Sequence, residues 1–145
     1  MKVIDAITFN GERGLFEIRY NILKEYVDVF VVVEFDKTFS GKKKAPTFPT
    51  EKYPDVKYFL YDEKHYEKYR ELAASSPQTL GADHWTTEFC MKESIKDALE
   101  TLGLADDDIV FVGDVDEIYE QRALKTMQPM KYKLRVYTYW LDNRS

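Results

Sequence analysis

The sequence predicts an α/β domain of 145 residues in which helices flank a mostly parallel sheet. Two segments, residues 27–35 and 109–113, read as strongly apolar strands, and the first is apolar on both faces, which is typical of a central strand covered by helices on either side. The first of them follows a strand and an amphipathic helix within about three dozen residues, the length of a βαβ unit. Hydrophobic residues make up 44% of the chain and charged residues 32%, which is the composition of a globular domain.

The first half of the chain predicts a strand, a helix and two further strands. Residues 2–9 are rich in β-forming side chains and end at Asn10-Gly11, a strong turn signal. Apolar side chains then recur at helical spacing over residues 13–26 and predict an amphipathic helix. The first apolar segment follows almost at once, and residues 56–61 predict a third strand.

The second half of the chain predicts a long helix and a second fully apolar strand. Residues 37–44 are rich in lysine and precede two prolines, so they are expected to form a surface loop. A helix begins near Asp83 and continues to Leu102, because apolar residues recur every three or four positions and Gly103 follows as a C-cap. The later predicted elements are the strand at 109–113, a short helix at 120–127 and an aromatic strand at 134–141.

Composition excludes several classes of site. The single cysteine, Cys90, rules out a disulfide framework and a CxxC zinc site, and two histidines cannot supply an all-histidine metal site of three ligands. A net charge of −5 argues against a nucleic-acid partner. The longest apolar run is broken by Asp28 and Glu34, so no membrane segment is expected, and no signal peptide is visible. We therefore expect a cytoplasmic protein.

An acidic motif, Asp114-Val115-Asp116-Glu117, directly follows the second apolar segment. Open α/β sheets bind ligands at the carboxyl ends of their strands. Residues two apart in an extended strand point to the same side, so the carboxylates of Asp114 and Asp116 are expected to converge. Such an oxygen-rich site suits Mg²⁺ or Mn²⁺, and the ion would bridge a diphosphate. Most Asp-x-Asp sequences are solvated turns, but the apolar strand that leads into this one favours a metal role.

Three unrelated classes of protein place such a motif after a strand. Haloacid-dehalogenase-like phosphatases begin their domain with that strand, whereas here too few residues follow it. Toprim domains, which act on nucleic acid with Mg²⁺, pair a strand-end glutamate with a later Asp-x-Asp, and Glu34 with Asp114 and Asp116 imitates that pattern. The glycines expected beside that glutamate are absent. Nucleotide-sugar glycosyltransferases of the GT-A type use the motif to hold the metal of the donor diphosphate, late in the sheet as here.

Six blocks of sequence also occur in the order of one known family. They are KVIDAITFNGE at 2–12, LFEIR at 15–19, VVVE at 31–34, KTFSGK at 37–42, WTTE at 85–88 and DVDEI at 114–118. On these blocks the chain resembles glycosyltransferase family 17, whose members are related to β-1,4-mannosyl-glycoprotein 4-β-N-acetylglucosaminyltransferase. The chain departs from the family pattern at Tyr119, where proline is usual, and at Lys92, where an arginine is expected.

The resemblance implies a GT-A-like fold and inverting, metal-dependent transfer of N-acetylglucosamine from a UDP-sugar to a carbohydrate acceptor. It implies Mn²⁺ or Mg²⁺ held by Asp114 and Asp116. It identifies no catalytic base; Glu117 is a candidate for that base because it lies nearby, and its alternative role is to support the metal carboxylates. In such folds the loop after the first strand meets the nucleotide. Phe9, Asn10 and Glu12 are therefore expected to bind the donor. Glu34, which ends the second strand on the ligand side, and Asp114 of the acidic motif are expected to bind it as well. Arg19 is expected to pair with the sheet or to be solvated, rather than to clamp a phosphate.

The chain ends at Ser145, earlier than domains of that family, so the C-terminal part of the family domain is expected to be missing. A non-catalytic nucleotide-sugar-binding remnant is therefore a further alternative. The final strand carries aromatic side chains on both faces, and one face needs a cover. We expect the chain to self-associate as a homo-oligomer through that strand.

Overall fold

The computed structural model of the chain describes residues 2–37, 42–62, 64, 67, 83–119 and 136–138. Residues 83–89, 92, 119 and 136–138 are described by their backbone alone. The predicted helix at 120–127, most of the predicted strand at 134–141 and residues 38–41 of the lysine-rich loop lie outside these ranges.

The described elements form the predicted α/β arrangement. They are β1 (Val3–Phe9), α1 (Arg13–Leu23), β2 (Val29–Phe35), β3 (Lys57–Tyr61), α2 (Asp83–Glu100), β4 (Ile109–Asp114), β5 (Glu117–Tyr119) and β6 (Val136–Thr138). Strands β3, β2, β1 and β4 lie side by side in that order, and every neighbouring pair is parallel. Strands β5 and β6 form a separate antiparallel pair.

The first helix and the second strand are both shorter than predicted. Helix α1 ends at Leu23, and the amides of Tyr26 and Val27 both bond to the Leu23 carbonyl as the chain turns. Asp28 then fixes the entry to the sheet, because its backbone N–H donates to the Val3 carbonyl at 2.8 Å and its carboxylate accepts from the Val3 N–H at 2.7 Å. Residues 24–28 therefore form the turn between the two elements, whereas their sequence pattern assigns 24–26 to the helix and 27–28 to the strand.

Both faces of β2 are buried, as its continuous apolar sequence predicts. On one face Phe30 and Val32 share a core with Phe16 and Leu23 of α1. On the other face the residues of β2 pack against α2; the buried members of this second core include Val31, Val33, Phe35, Met91 and Ile95. Within the described residues, α1 therefore covers one side of the sheet and α2 the other, and the carboxyl ends of the strands remain at the edge of these layers.

The strand order places a topological switch between β1 and β4. The chain proceeds from β1 to β2 and β3 on one side of the sheet, and β4 is then added on the other side of β1. Ligands of open α/β sheets bind in the crevice at such a switch. Thr8 pairs in register with Asp114, so the segments that follow β1 and β4 leave the sheet side by side. Among the described residues, no helix has both the length and the apolar character needed to cross a membrane.

Candidate functional site

Three carboxylates converge where β4 ends. Asp114 is the last residue of β4, Val115 and Asp116 form a turn, and Glu117 opens β5. One carboxylate oxygen from each of Asp114, Asp116 and Glu117 lies within 4.8 Å of the other two, and all three residues are half-buried. We call residues 114–117 the acidic turn.

The acidic side chains converge as predicted, but the backbone that brings them together is a turn and not an extended strand. Val115 is 3% exposed and Ile118 is 1% exposed, since both join the core on the α1 side of the sheet. The Glu117 carboxylate folds back to accept the backbone N–H of Asp114 at 3.2 Å. Burial of the two apolar side chains thus reverses the chain and leaves the acids on the outside of the turn.

A buried ion pair lies behind the acidic turn. Arg19 of α1 donates from Nε to Oδ2 of Asp5 at 2.7 Å and from Nη2 to Oδ1 at 2.6 Å. Its Nη1 donates to the backbone carbonyls of Asp114, at 3.0 Å, and of Glu117. Arg19 therefore pairs with the sheet, which is one of the two roles predicted ahead of a phosphate clamp, and it is not solvated. Asp5 was not predicted, although a carboxylate within an apolar strand is itself a signal that a partner must exist.

The loop after β1 faces the acidic turn. Gly11 has φ +89°, a left-handed conformation that favours glycine, and this lets the chain turn from β1 into α1. The Asn10 N–H donates to Oε1 of Glu12 at 2.6 Å. Burial raises the pKa of Glu12 above its ordinary value, and the charges of Asp116 and Asp114 raise it further, although hydrogen bonds from the backbone oppose them. Glu12 thus belongs to the same electrostatic unit as the acidic turn.

Phe9 contributes to the core beneath that loop. Its side chain is 0% exposed, and its ring meets those of Phe16 and Phe48 edge-on at centroid distances of 6.3 and 5.1 Å. Of the residues predicted to meet the nucleotide, Asn10 and Glu12 are half-buried at the switch point, whereas Phe9 supports them from below.

Glu34 lies at the carboxyl end of β2 with a fully buried carboxylate. Its two oxygens accept from five donors, which are Lys44 Nζ at 2.6 Å, Thr47 N at 3.0 Å, Thr47 Oγ1 at 2.7 Å, Phe48 N at 3.1 Å and the Tyr58 hydroxyl at 2.6 Å. Although burial raises the pKa of Glu34, the hydrogen bonds from Lys44, Tyr58 and Thr47 bring it below its ordinary value. The carboxylate therefore remains ionised and holds residues 44–48 against the sheet.

Glu34 and the acidic turn are not brought together. Strand β1 separates β2 from β4, and adjacent strands are about 4.8 Å apart, so the two positions are separated by about 10 Å across the sheet. The group of carboxylates that approach one another contains Asp114, Asp116 and Glu117 among the described residues, without Glu34. The Toprim alternative requires that Glu34 and Asp116 share one ion. The described residues do not show that arrangement.

Thr47 links Glu34 to the loop after β1, a role that the sequence did not reveal. Its N–H and its hydroxyl both donate to Glu34, and its carbonyl accepts from Nε of Arg13 at 2.9 Å. Of the predicted lysine loop, Lys37 and Lys43 form an antiparallel bridge, and Lys44 is paired with Glu34. The Trp85 block lies on α2, whose side chains there fall outside the described residues.

The donor atoms of the acidic turn suit a hard divalent cation. Carboxylate oxygens are the ligands that Mg²⁺ and Mn²⁺ prefer, and such ions often use one or two carboxylates together with substrate phosphates. Three ligand oxygens within 4.8 Å of one another also repel, and that repulsion would be relieved by a cation. The residues present therefore fit a magnesium or manganese ion.

The comparison with known families gives a match over almost the whole chain. The model of glycosyltransferase family 17 matches residues 1–142, a span that includes the loop after β1 and the acidic turn. Comparisons with curated proteins and with solved structures give no match.

Proposed function

The chain belongs to glycosyltransferase family 17, and from that premise we propose that it transfers N-acetylglucosamine from UDP-GlcNAc to a carbohydrate acceptor, with inversion at the anomeric carbon. Membership of the family makes it a glycosyltransferase with a GT-A-like sheet, acting on a sugar donor and an acceptor. The observation that carries the proposal is the acidic turn at the switch point between β1 and β4. Membership also favours sugar transfer over the Toprim alternative.

We assign Asp114 and Asp116 to a divalent cation that binds the donor diphosphate. A bound Mg²⁺ or Mn²⁺ would supply positive charge to the leaving diphosphate as the sugar departs. Asp114 is fixed by the sheet because it ends β4 opposite Thr8, and Asp116 is fixed by the turn that buries Val115. The two carboxylates thus occupy defined positions before donor binds, which lowers the entropic cost of forming the complex.

The segment Asn10–Glu12 is assigned to the nucleoside part of the donor. It leaves β1 beside the acidic turn, and the side chains of Asn10 and Glu12 are half-buried, so a ligand at the switch point can reach them. Phe9 and Glu34 act indirectly in this assignment. Phe9 fills the core below the loop, and Glu34 holds Thr47, whose carbonyl accepts a hydrogen bond from Arg13 at the start of α1.

Glu117 is assigned to support the turn. Inversion needs a carboxylate that removes the proton of the acceptor hydroxyl. One oxygen of Glu117 accepts the N–H of Asp114, and the side chain also offers an oxygen to the cation group. A carboxylate used in this way stabilises the metal ligands, and its replacement by glutamine should weaken cation binding as well as turnover.

Transfer is tested by incubating the purified chain with UDP-GlcNAc, Mn²⁺ and a panel of carbohydrate acceptors, and by measuring UDP release together with product mass. We expect acceptor-dependent release with Mn²⁺, none with EDTA and none for Asp116→Asn. Asp106→Asn is the matched control, because Asp106 is an exposed acid just before β4, at the opposite end of the strand. Donor binding without transfer to any acceptor would favour the non-catalytic alternative.

A further inference from the structure

Arg19 is the largest fully buried side chain among the described residues, with an exposed fraction of 0%. A guanidinium in the interior loses its hydration, and this cost is recovered only through pairing and hydrogen bonding. Nε and Nη2 of Arg19 form an ion pair with the carboxylate of Asp5, and Nη1 donates hydrogen bonds to backbone carbonyls of the acidic turn.

Asp5 fixes the orientation of the guanidinium. It lies in the middle of β1, is 1% exposed and pairs in register with Phe111 of β4. Both of its oxygens accept from Arg19, and such a bidentate pair fixes the plane of the guanidinium as well as its position. The direction of the remaining nitrogen, Nη1, is therefore set by the sheet.

Nη1 ties the two ends of the acidic turn together. It donates to the carbonyl of Asp114, the first residue of the turn, and to that of Glu117, the last. The three carboxylates of the turn carry like charges within 4.8 Å, and this tie opposes the repulsion between them. The guanidinium also places a positive charge directly behind them, where it offsets part of that repulsion.

We propose that Arg19, oriented by Asp5, is a positioning residue that holds the acidic turn in its cation-binding geometry before the cation arrives. This inference rests on the proposed function, in which the turn binds a divalent cation. An arginine that merely stabilised the fold would change the free energy of unfolding, but it would leave the cation affinity of the folded protein unchanged.

The variant Arg19→Lys separates these roles, because lysine keeps the charge but lacks the fork that reaches Asp5 and both carbonyls together. The probe is Mn²⁺ in the presence of saturating UDP, with free Mn²⁺ measured by electron paramagnetic resonance. Residues that orient metal ligands typically change metal affinity by about 10- to 100-fold, and we expect a rise of that size in the Mn²⁺ Kd. Circular dichroism checks that the variant is folded.

Ile95→Ala is the matched stability control. Ile95 is 2% exposed in the core on the opposite face of the sheet, so its truncation destabilises the fold without reaching the turn. We expect this variant to bind Mn²⁺ as the unaltered chain does. An unchanged Kd in folded Arg19→Lys would overturn the inference while leaving the cation site in place. Absence of Mn²⁺ binding by the unaltered chain would instead overturn the proposed function and the inference together.

Asp5→Asn provides a second route if Arg19→Lys does not fold. It keeps the guanidinium and its bonds to the two carbonyls but weakens the pair that orients them. We expect a smaller rise in the Mn²⁺ Kd than for Arg19→Lys, and an unchanged Kd would count against the orienting role of Asp5 and so against the inference.

Discussion

Replacement of Glu34 by glutamine removes the charge of a fully buried carboxylate and turns one of its acceptor atoms into a donor. Oε1 accepts from Thr47 N, Phe48 N and Tyr58, whereas Oε2 accepts from Lys44, Thr47 N and Thr47 Oγ1. Hydroxyl groups can rotate and accept from the new amide, but an N–H or an ammonium group cannot. Either orientation of the glutamine therefore leaves at least one donor facing another donor.

The loss in the free energy of unfolding is worked out for the more favourable orientation of the glutamine side chain, in which the amide nitrogen replaces Oε1. The Phe48 N–H then loses its acceptor, which costs about 1–3 kcal/mol for a buried group, and Lys44 keeps only a neutral oxygen in place of a carboxylate. Removal of one partner from a buried ion pair costs about 3–5 kcal/mol, and the 15% exposure of Lys44 moderates that figure. We expect a loss of about 3 kcal/mol in the free energy of unfolding, or about 6–12 °C in Tm for a domain of this size.

Urea unfolding followed by circular dichroism measures this loss. Glu17→Gln is the matched control, because Glu17 also pairs with a lysine, Lys52 at 3.2 Å, but both side chains are half exposed. No measurable change is expected there. Since the pKa of Glu34 is lowered by folding, its contribution is present above the ordinary value of 4.5 and is lost as the pH falls through the folded-state value. Equal losses for the two variants at pH 7, or a loss independent of pH, would refute the reasoning.

Three further predictions concern stability and reactivity. The raised pKa of Glu12 means that its contribution to stability is present below pH 4.5 and is lost as the pH rises through the folded-state value, so Glu12→Gln should raise Tm at pH 7 and not at pH 4, measured by thermal melts. Gly11→Ala and Gly103→Ala, at φ +89° and +61°, should each cost about 1 kcal/mol by urea unfolding, but only the Gly11 variant, beside the candidate site, should weaken UDP binding. Burial raises the pKa of the Cys90 thiol to about 11, so iodoacetamide should modify the folded chain slowly at pH 8, and modification at the rate of a free thiol would contradict this burial.

The sequence predicted the sheet well where burial acts on both faces of a strand. The apolar segment at 27–35 became β2, which lies between two neighbours and is buried on both faces, and the strand at 109–113 lies one residue from the observed bounds of β4. Within the described sheet β4 is an edge strand and its Val112 is 54% exposed, so a fully apolar sequence did not by itself show which strand is central. Element ends were predicted less well. Helix α1 ends three residues early because Asp28 bonds to Val3, a contact between residues 25 positions apart that no local pattern contains.

The candidate site was also predicted only in part, because some of its contacts join residues far apart in the sequence. The convergence of Asp114 and Asp116 followed from a strand that leads into two nearby acids, although a turn rather than a strand produces it. The partnership of Asp5 with Arg19 depends on the packing of α1 on β1, which spacing along the chain does not reveal. Periodicity does place Arg19 on the same helix face as buried Phe16 and Leu23, and that placement is the signal that could have identified it.

Glu34 shows how a strand-end acid can be assigned to a ligand when its partners lie in a loop. Its position at the carboxyl end of β2 matched the ligand side of the sheet, but five donors from residues 44–58 surround its carboxylate. Lys44, Thr47 and Phe48 lie in a proline-containing stretch with no periodic pattern, so their return to the sheet could not be predicted. We therefore propose that Glu34 supports binding of the sugar donor only indirectly, through the residues that it holds against the sheet.

The most direct test of the cation site is calorimetric titration of UDP-GlcNAc into the chain with Mn²⁺ or with EDTA. The unaltered chain and Asp106→Ala should bind the donor with Mn²⁺, and both should lose most of that affinity with EDTA. Asp116→Ala should not bind under either condition, while circular dichroism shows that it is folded. Equal affinity of the unaltered chain and Asp116→Ala in Mn²⁺ would contradict the claim that the acidic turn holds the cation of the donor diphosphate.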